Sequence, residues 1–171
     1  MSSRKLVIGG IEIVHPASFM LSQNYTPIQA VSRVRMMNGS LTQQTAWRNK
    51  LQTQISGDGI APAGFQLIDW SEPVTIKCIA ERSVTSLTNV IAIPSARRAD
   101  YGVAGRALVG NRFVNTAVAM DGDEATLTAV SGAIAYQAYY WPELICYADP
   151  PSETRNARSA DYGWSLVAEE V

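Results

Sequence analysis

The side chains best equipped for chemistry are few and scattered. His15, the sole histidine, precedes Pro16 at the end of a β-rich run. One imidazole supplies neither the paired ligands of a zinc site nor the base of a Ser-His-Asp arrangement. His15 therefore reads as a turn residue. Cys78 and Cys146 sit in the apolar runs Ile76-Lys77-Cys78-Ile79 and Leu144-Ile145-Cys146-Tyr147. Without a CxxC spacing or an electropositive neighbourhood that would favour thiolate, they read as buried reduced thiols. Asp69 and Glu72 flank Trp70, a superficial match to the carboxylate pair and aromatic of a glycosidase. Two acids three apart in a turn that ends in Pro73 are common, and the structural reading is preferred. Asp121, Asp123 and Glu124 offer oxygens to calcium but lack the ligand spacing of an EF-hand loop, and fit a tight turn better. The glycines of 57–59 and 102–105 form no phosphate-cradling motif. No cofactor is expected.

The elements that would have to position these groups are strands. Residues 6–8 and 11–14 are β-rich and joined by Gly9-Gly10, as in a tight hairpin. Residues 28–37 alternate up to Asn38-Gly39, a second hairpin signal. Over 41–55 two periods compete: Trp47, Leu51 and Ile55 are four apart, yet Arg48, Lys50, Gln52 and Gln54 are all polar. A long strand is preferred, a helix ending at Gly57 is the alternative, and 57–64 reads as a loop. Further strands are expected over 74–80, 84–93, 112–120, 125–130, 133–141 and 164–168, with Asp121-Gly122-Asp123-Glu124 turning one into the next. On the strand 133–141, Tyr139 and Trp141 would share one face, Tyr136 and Tyr140 the other. One face suits a core, the other an interface.

At 171 residues the chain is long enough for one domain with a real core, and no segment has linker composition. The formal charge of -1 gives no overall positive field, so sequence recognition of nucleic acid is not expected. The first ten residues hold only three successive apolar side chains, too few for an export signal or membrane insertion.

Ala96-Arg97-Arg98-Ala99-Asp100-Tyr101-Gly102 is echoed by residues 157–163, where Ala157, Arg158, Ala160, Asp161, Tyr162 and Gly163 recur in place. The flanks do not match, so no repeat architecture follows, though the two could be equivalent loops. Segments 94–112 and 149–163 read as long loops, which in a compact domain usually bind something. With Asn38 and Gly39 they form the expected interface. Arg97, Arg98, Tyr101, Arg155, Arg158 and Tyr162 are its candidate anchors.

Two patches carry a family likeness. Residues 47–59, 61–65 and 69–70, with the closing stretch Tyr162 to Glu170, resemble small structural proteins of tailed-bacteriophage tails, of the distal-tail or baseplate-hub type. The resemblance implies an all-β fold, a sandwich or barrel related to tail-tube subunits, with long loops and little helix. It also implies no catalysis, assembly in a ring with copies of itself and with other phage tail proteins, and a place in the virion tail after synthesis in the bacterial host cytoplasm. The chain lacks the residues of an added carbohydrate-binding domain found in longer members. Neck, tail-terminator and capsid-decoration roles remain open, as does a carbohydrate-binding module; a glycan hydrolase using Asp69 and Glu72 comes third.

Overall fold

The structure, a computed structural model, describes residues 5–14, 17, 20–158 and 160–171. The turn expected at His15 and Pro16 lies outside them. Among the described residues the fold is all-β: fifteen strands and a 3-10 turn at Phe65–Leu67. In order these are β1 Val7–Ile8, β2 Ile11–Glu12, β3 Met20–Arg35, β4 Leu41–Gly59, β5 Val74–Lys77, β6 Arg82–Ser86, β7 Val90–Ala92 and β8 Ala104–Val109. Then come β9 Arg112–Thr116, β10 Val118–Asp121, β11 Glu124–Leu127, β12 Ala133–Tyr140, β13 Glu143–Ala148, β14 Ser152–Asn156 and β15 Asp161–Glu170.

The chain divides into two compact units. One is built from the segment ending at Val7 together with Ile76–Leu144, the other from Ile8–Thr75 and Ile145–Val171. In the first, a four-stranded sheet (β6-β12-β8-β9) and a three-stranded one (β10-β11-β7) share a core of Ile91, Ile93, Ala107, Ala125, Leu127, Tyr136, Ala138 and Tyr140. Tyr136 and Tyr140 thus occupy the inner face of β12, as their alternation predicts. Trp141 departs from that pattern: β12 stops at Tyr140, and Trp141 turns inward as well. The two sheets meet closely at Gly105, where an added Cβ would lie 2.5 Å from Val118 and 2.8 Å from Leu127.

The second unit holds most of the larger sheet, in the order β2-β1-β5-β13-β15-β4-β3, with β14 also beside β15. Gly9 and Gly10, at φ 57° and 80°, make the expected tight hairpin between β1 and β2. Inward residues of β4 and β15 alternate as Leu51, Thr53 and Ile55 and as Trp164, Leu166 and Ala168. The buried Thr53 hydroxyl donates to Asn24 O at 3.1 Å and accepts from Gln23 Nε2 at 3.0 Å, which offsets its desolvation. Trp164 donates through Nε1 to Ala17 O at 3.0 Å and meets Phe65 edge-on, with ring centroids 5.1 Å apart. A Cβ on Gly57 would lie 2.7 Å from that indole, so Gly57 is a strand residue that permits the packing.

The strand preference over 41–55 holds, because β4 is unbroken and its base alternates with period two. Several expectations need correcting. β4 continues to Gly59, so 57–64 is a loop only after that residue. The expected strand 84–93 is two strands, β6 and β7, separated by a turn in which Ser86 and Thr88 hydroxyls bond each other at 3.0 Å. Segment 94–112 contains β8, and 149–163 is largely the hairpin of β14 and β15. The two echoed motifs are therefore not equivalent loops: Asp100-Tyr101-Gly102 lies outside strands, whereas Asp161-Tyr162-Gly163 opens β15.

Overpacking predicts that Gly105→Ala and Gly57→Ala each lower stability by about 1–3 kcal/mol. Denaturant titration checks both. Gly57→Ala should also shift the emission of Trp164, and an unchanged spectrum with unchanged stability would contradict the packing described.

Candidate functional site

Asn38 and Gly39 cap a ribbon formed by β3 and β4. The turn is a three-residue loop, not a two-residue one. Met36 N–H donates to Ser40 O at 2.8 Å and Gly39 N–H to Met36 O at 2.9 Å, with Gly39 alone at positive φ, 82°. This is a β-turn closed by a left-handed glycine. Asn38 Oδ1 accepts from Ser40 N–H at 3.0 Å and from its hydroxyl at 2.7 Å.

Below the turn the ribbon has two parts. In the base, Met20 to Ile28 pair without interruption with Asp58 to Lys50; in the tip, Val31 to Arg35 pair with Thr45 to Leu41. Between them the register shifts twice, at Ile28/Ala30 and at Ala30/Val31, so β4 carries two extra residues there. Asn49, at φ 66°, occupies the left-handed conformation that such a bulge demands and that Asn tolerates. Every residue from Ser32 to Asn49 is exposed.

The tip has two chemically distinct faces. Paired residues Val31 and Thr45, Arg33 and Gln43, and Arg35 and Leu41 share one face; Ser32 and Gln44 and Val34 and Thr42 share the other, joined by Ala30 and Trp47. Arg33 Nε donates to Gln43 Oε1 at 2.9 Å, and Arg35 Nη1 to Gly39 O at 3.0 Å, which holds both guanidinium groups in place. No Asp or Glu occurs between Glu12 and Asp58, whereas Arg33, Arg35, Arg48 and Lys50 all do. The remaining ten Lys and Arg are set against all fifteen acids, so the rest of the chain carries -5 against +4 on the ribbon.

The same unit carries a groove of about 420 Å³ lined by Trp70, Tyr147, Ala148, Asp149, Val167 and Glu169. A second, of about 290 Å³, shares Trp70 and adds Phe65, Pro150, Pro151 and Glu153. Trp70 is held by Phe65, edge-on with centroids 6.2 Å apart. The Asp69 carboxylate closes a local turn, with Oδ1 accepting from the Ser71 hydroxyl at 2.6 Å and from Ser71 N–H at 3.0 Å. These bonds, the hydroxyl's first, hold its carboxyl below the usual range.

No family model, curated protein or solved structure matches this chain.

Among the described residues no three His, Cys, Asp or Glu are grouped to share a metal ion. Cys78 and Cys146 are buried and form no disulfide, as expected.

Of the expected anchors, Arg98 and Tyr101 come together, but inward, while Arg97 reaches a different turn. Arg98 is only 3% exposed. Its guanidinium donates to Lys5 O at 2.8 Å, Lys77 O at 3.2 Å and Cys78 O at 2.9 Å, and in bidentate fashion to Asp100 at 2.9 and 2.7 Å. It lies 4.2 Å from the centre of the Tyr101 ring. The assignment of Arg98 as an interface anchor is thus corrected: charge alone suggests a surface side chain, but its carbonyl partners lie 20 to 93 residues away along the chain. Tyr101 accepts Lys5 N–H at 3.0 Å and packs edge-on against Trp141. Arg97 clamps the β10–β11 turn, donating to Asp123 Oδ1 at 2.6 Å, Gly122 O at 2.7 Å and Pro94 O at 2.8 Å. Arg155 lies across β14–β15 from Tyr162, 5.3 Å from its ring centre, and Arg158 is exposed, its N–H bonded to Asn156 Oδ1. Asn38, Gly39, Arg155 and Arg158 remain outward.

Burial pushes the Arg98 pKa down, but the bonds and charge of Asp100 outweigh it and leave it raised. The Arg98 hydrogen bonds hold Asp100 below the usual carboxylate range, with burial opposing and the charges of Arg98 and Lys77 assisting. A carboxyl depressed in the folded state stabilises above its unfolded value of about 3.9 and loses that contribution as pH falls through the folded value. Asp100→Asn should therefore lower stability at pH 7 by about 1–2 kcal/mol, discounted because the carboxylate is half exposed, and the difference should vanish in acid. Arg98→Ala leaves buried carbonyls and Asp100 unpaired and should cost about 3–5 kcal/mol. Thermal melts from pH 7 down to 3 check both.

Proposed function

We propose that the chain is a virion structural protein, a ring-forming component of a phage tail at the junction of tube and baseplate. Its work is to join copies of itself and other tail proteins, and no catalytic step is assigned to it. The observation that carries this reading is the ribbon tip. A two-stranded β-ribbon exposed on both faces has little stability of its own in water. This one nonetheless carries Val34, Met36, Met37, Leu41 and Trp47 in exposed positions. Apolar groups displayed on a doubly exposed ribbon are suited to burial by a partner. The all-β architecture and the likeness of residues 47–59, 61–65, 69–70 and 162–170 to phage tail proteins support the same reading by analogy.

The groove at Trp70 favours a second reading, a carbohydrate-binding module. An aromatic pair with neighbouring carboxylates can stack and hydrogen-bond a sugar. The two readings separate on solution behaviour. Native mass spectrometry should show one discrete oligomer above the 18.5 kDa monomer. A protein that stays monomeric at every attainable concentration while retaining glycans on an array would replace the first reading by the second.

A further inference from the structure

We propose that the cationic face of the β3–β4 tip docks into the Trp70 groove of a second copy of this chain, in a head-to-tail contact. The inference rests on the assembly reading above and names its contact. Charge carries it. The ribbon is free of acids over the whole stretch between Glu12 and Asp58, so its four cations have no carboxylate in their own segment. The groove offers Asp149 and Glu169 beside Trp70 and Tyr147, and its extension past Trp70 offers Glu153.

The chemistries match side chain by side chain. Arg33 and Arg35 are held two residues apart on one face by bonds to Gln43 and Gly39, which lowers the entropy lost on docking. A guanidinium can stack on an indole or phenol face while bonding a carboxylate at its edge, and the groove places both kinds of group together. Val31 and Leu41 share the face with the arginines and suit Val167, which is exposed in the groove wall. Because tip and groove are different surfaces of one chain, the contact is heterologous. Repeated from copy to copy, such a contact closes a ring when its rotation divides the circle, and otherwise grows a filament.

Charge reversal tests this in full-length protein. Arg33→Glu/Arg35→Glu alters only exposed ribbon residues, and Asp149→Lys/Glu169→Lys alters the groove; Asp149→Lys alone serves if the double groove variant melts early. Each variant should weaken self-association by roughly tenfold or more, read by native mass spectrometry and sedimentation. An equimolar mixture of ribbon and groove variants should regain mixed oligomers, because each supplies the surface the other has lost. Wild-type assembly unaffected by Arg33→Glu/Arg35→Glu would overturn this contact and leave the assembly reading standing. Losses in both variants without recovery in the mixture would overturn it too. A wild-type protein that never assembles would overturn both, and binding of a 30-base-pair DNA duplex that depends on Arg33 and Arg35 would reassign the ribbon to nucleic acid.

Discussion

One buried guanidinium gathers the strand ends at which the chain enters and leaves the first unit. The passages fall within β1, β5 and β13. Arg98 meets all three: its side chain bonds Lys5 O just before β1, and Lys77 O and Cys78 O at the end of β5. Its backbone N–H bonds Trp141 O at 2.8 Å, just before β13. A hydrophobic side chain could fill that volume, but it could not satisfy three carbonyls arriving from two separate segments. Asp100 completes the arrangement by balancing the charge, and Tyr101 covers it.

That constraint divides the labour among the arginines. Arg97 and Arg98 are neighbours in sequence, and both are spent on holding the first unit in shape, Arg97 on a turn and Arg98 on strand ends. The arginines of the β3–β4 ribbon have no such architectural duty beyond fixing their own loop. The distinction between an arginine that closes a fold and one that faces outward depends on partners that are remote in sequence.

The same dependence separates what the sequence makes legible from what it hides. Alternation in β4, β12 and β15 is legible because one face of each is buried, so apolar and polar residues separate by parity. Gly9-Gly10 is legible because positive φ values leave little other choice. β3 is visible only from residue 28, since after Met20 and Leu21 its first half is Ser, Gln, Asn and Thr with Tyr25 as the one large side chain, and it runs into Pro27. A strand at the sheet's edge has little need of apolar residues on both sides. β8 is hidden by Ala104, Gly105 and Ala107, small because the facing sheet leaves no room at Gly105. β14, exposed throughout, has no burial pattern to read. Of the surface proposed for assembly, the Asn38-Gly39 tip is visible in sequence, while the groove requires Trp70 to meet Tyr147, 77 positions later.

The paired bulges in β4 have an arithmetic of their own. Side chains on a strand alternate with period two, so one inserted residue exchanges the faces and a second restores them. Odd-numbered residues oppose odd-numbered ones in both base and tip, as Tyr25 with Thr53 and Arg33 with Gln43, and only the Ala30–Trp47 pair between the bulges breaks parity. Gene-level length changes around residues 46–49 should therefore be tolerated in twos and not in ones. Deleting a single residue would turn either the base's core-facing row or the tip's arginine-bearing row to the opposite side, whereas deleting two would straighten the ribbon and keep both rows in place. Melting temperatures of the two deletion variants would tell them apart.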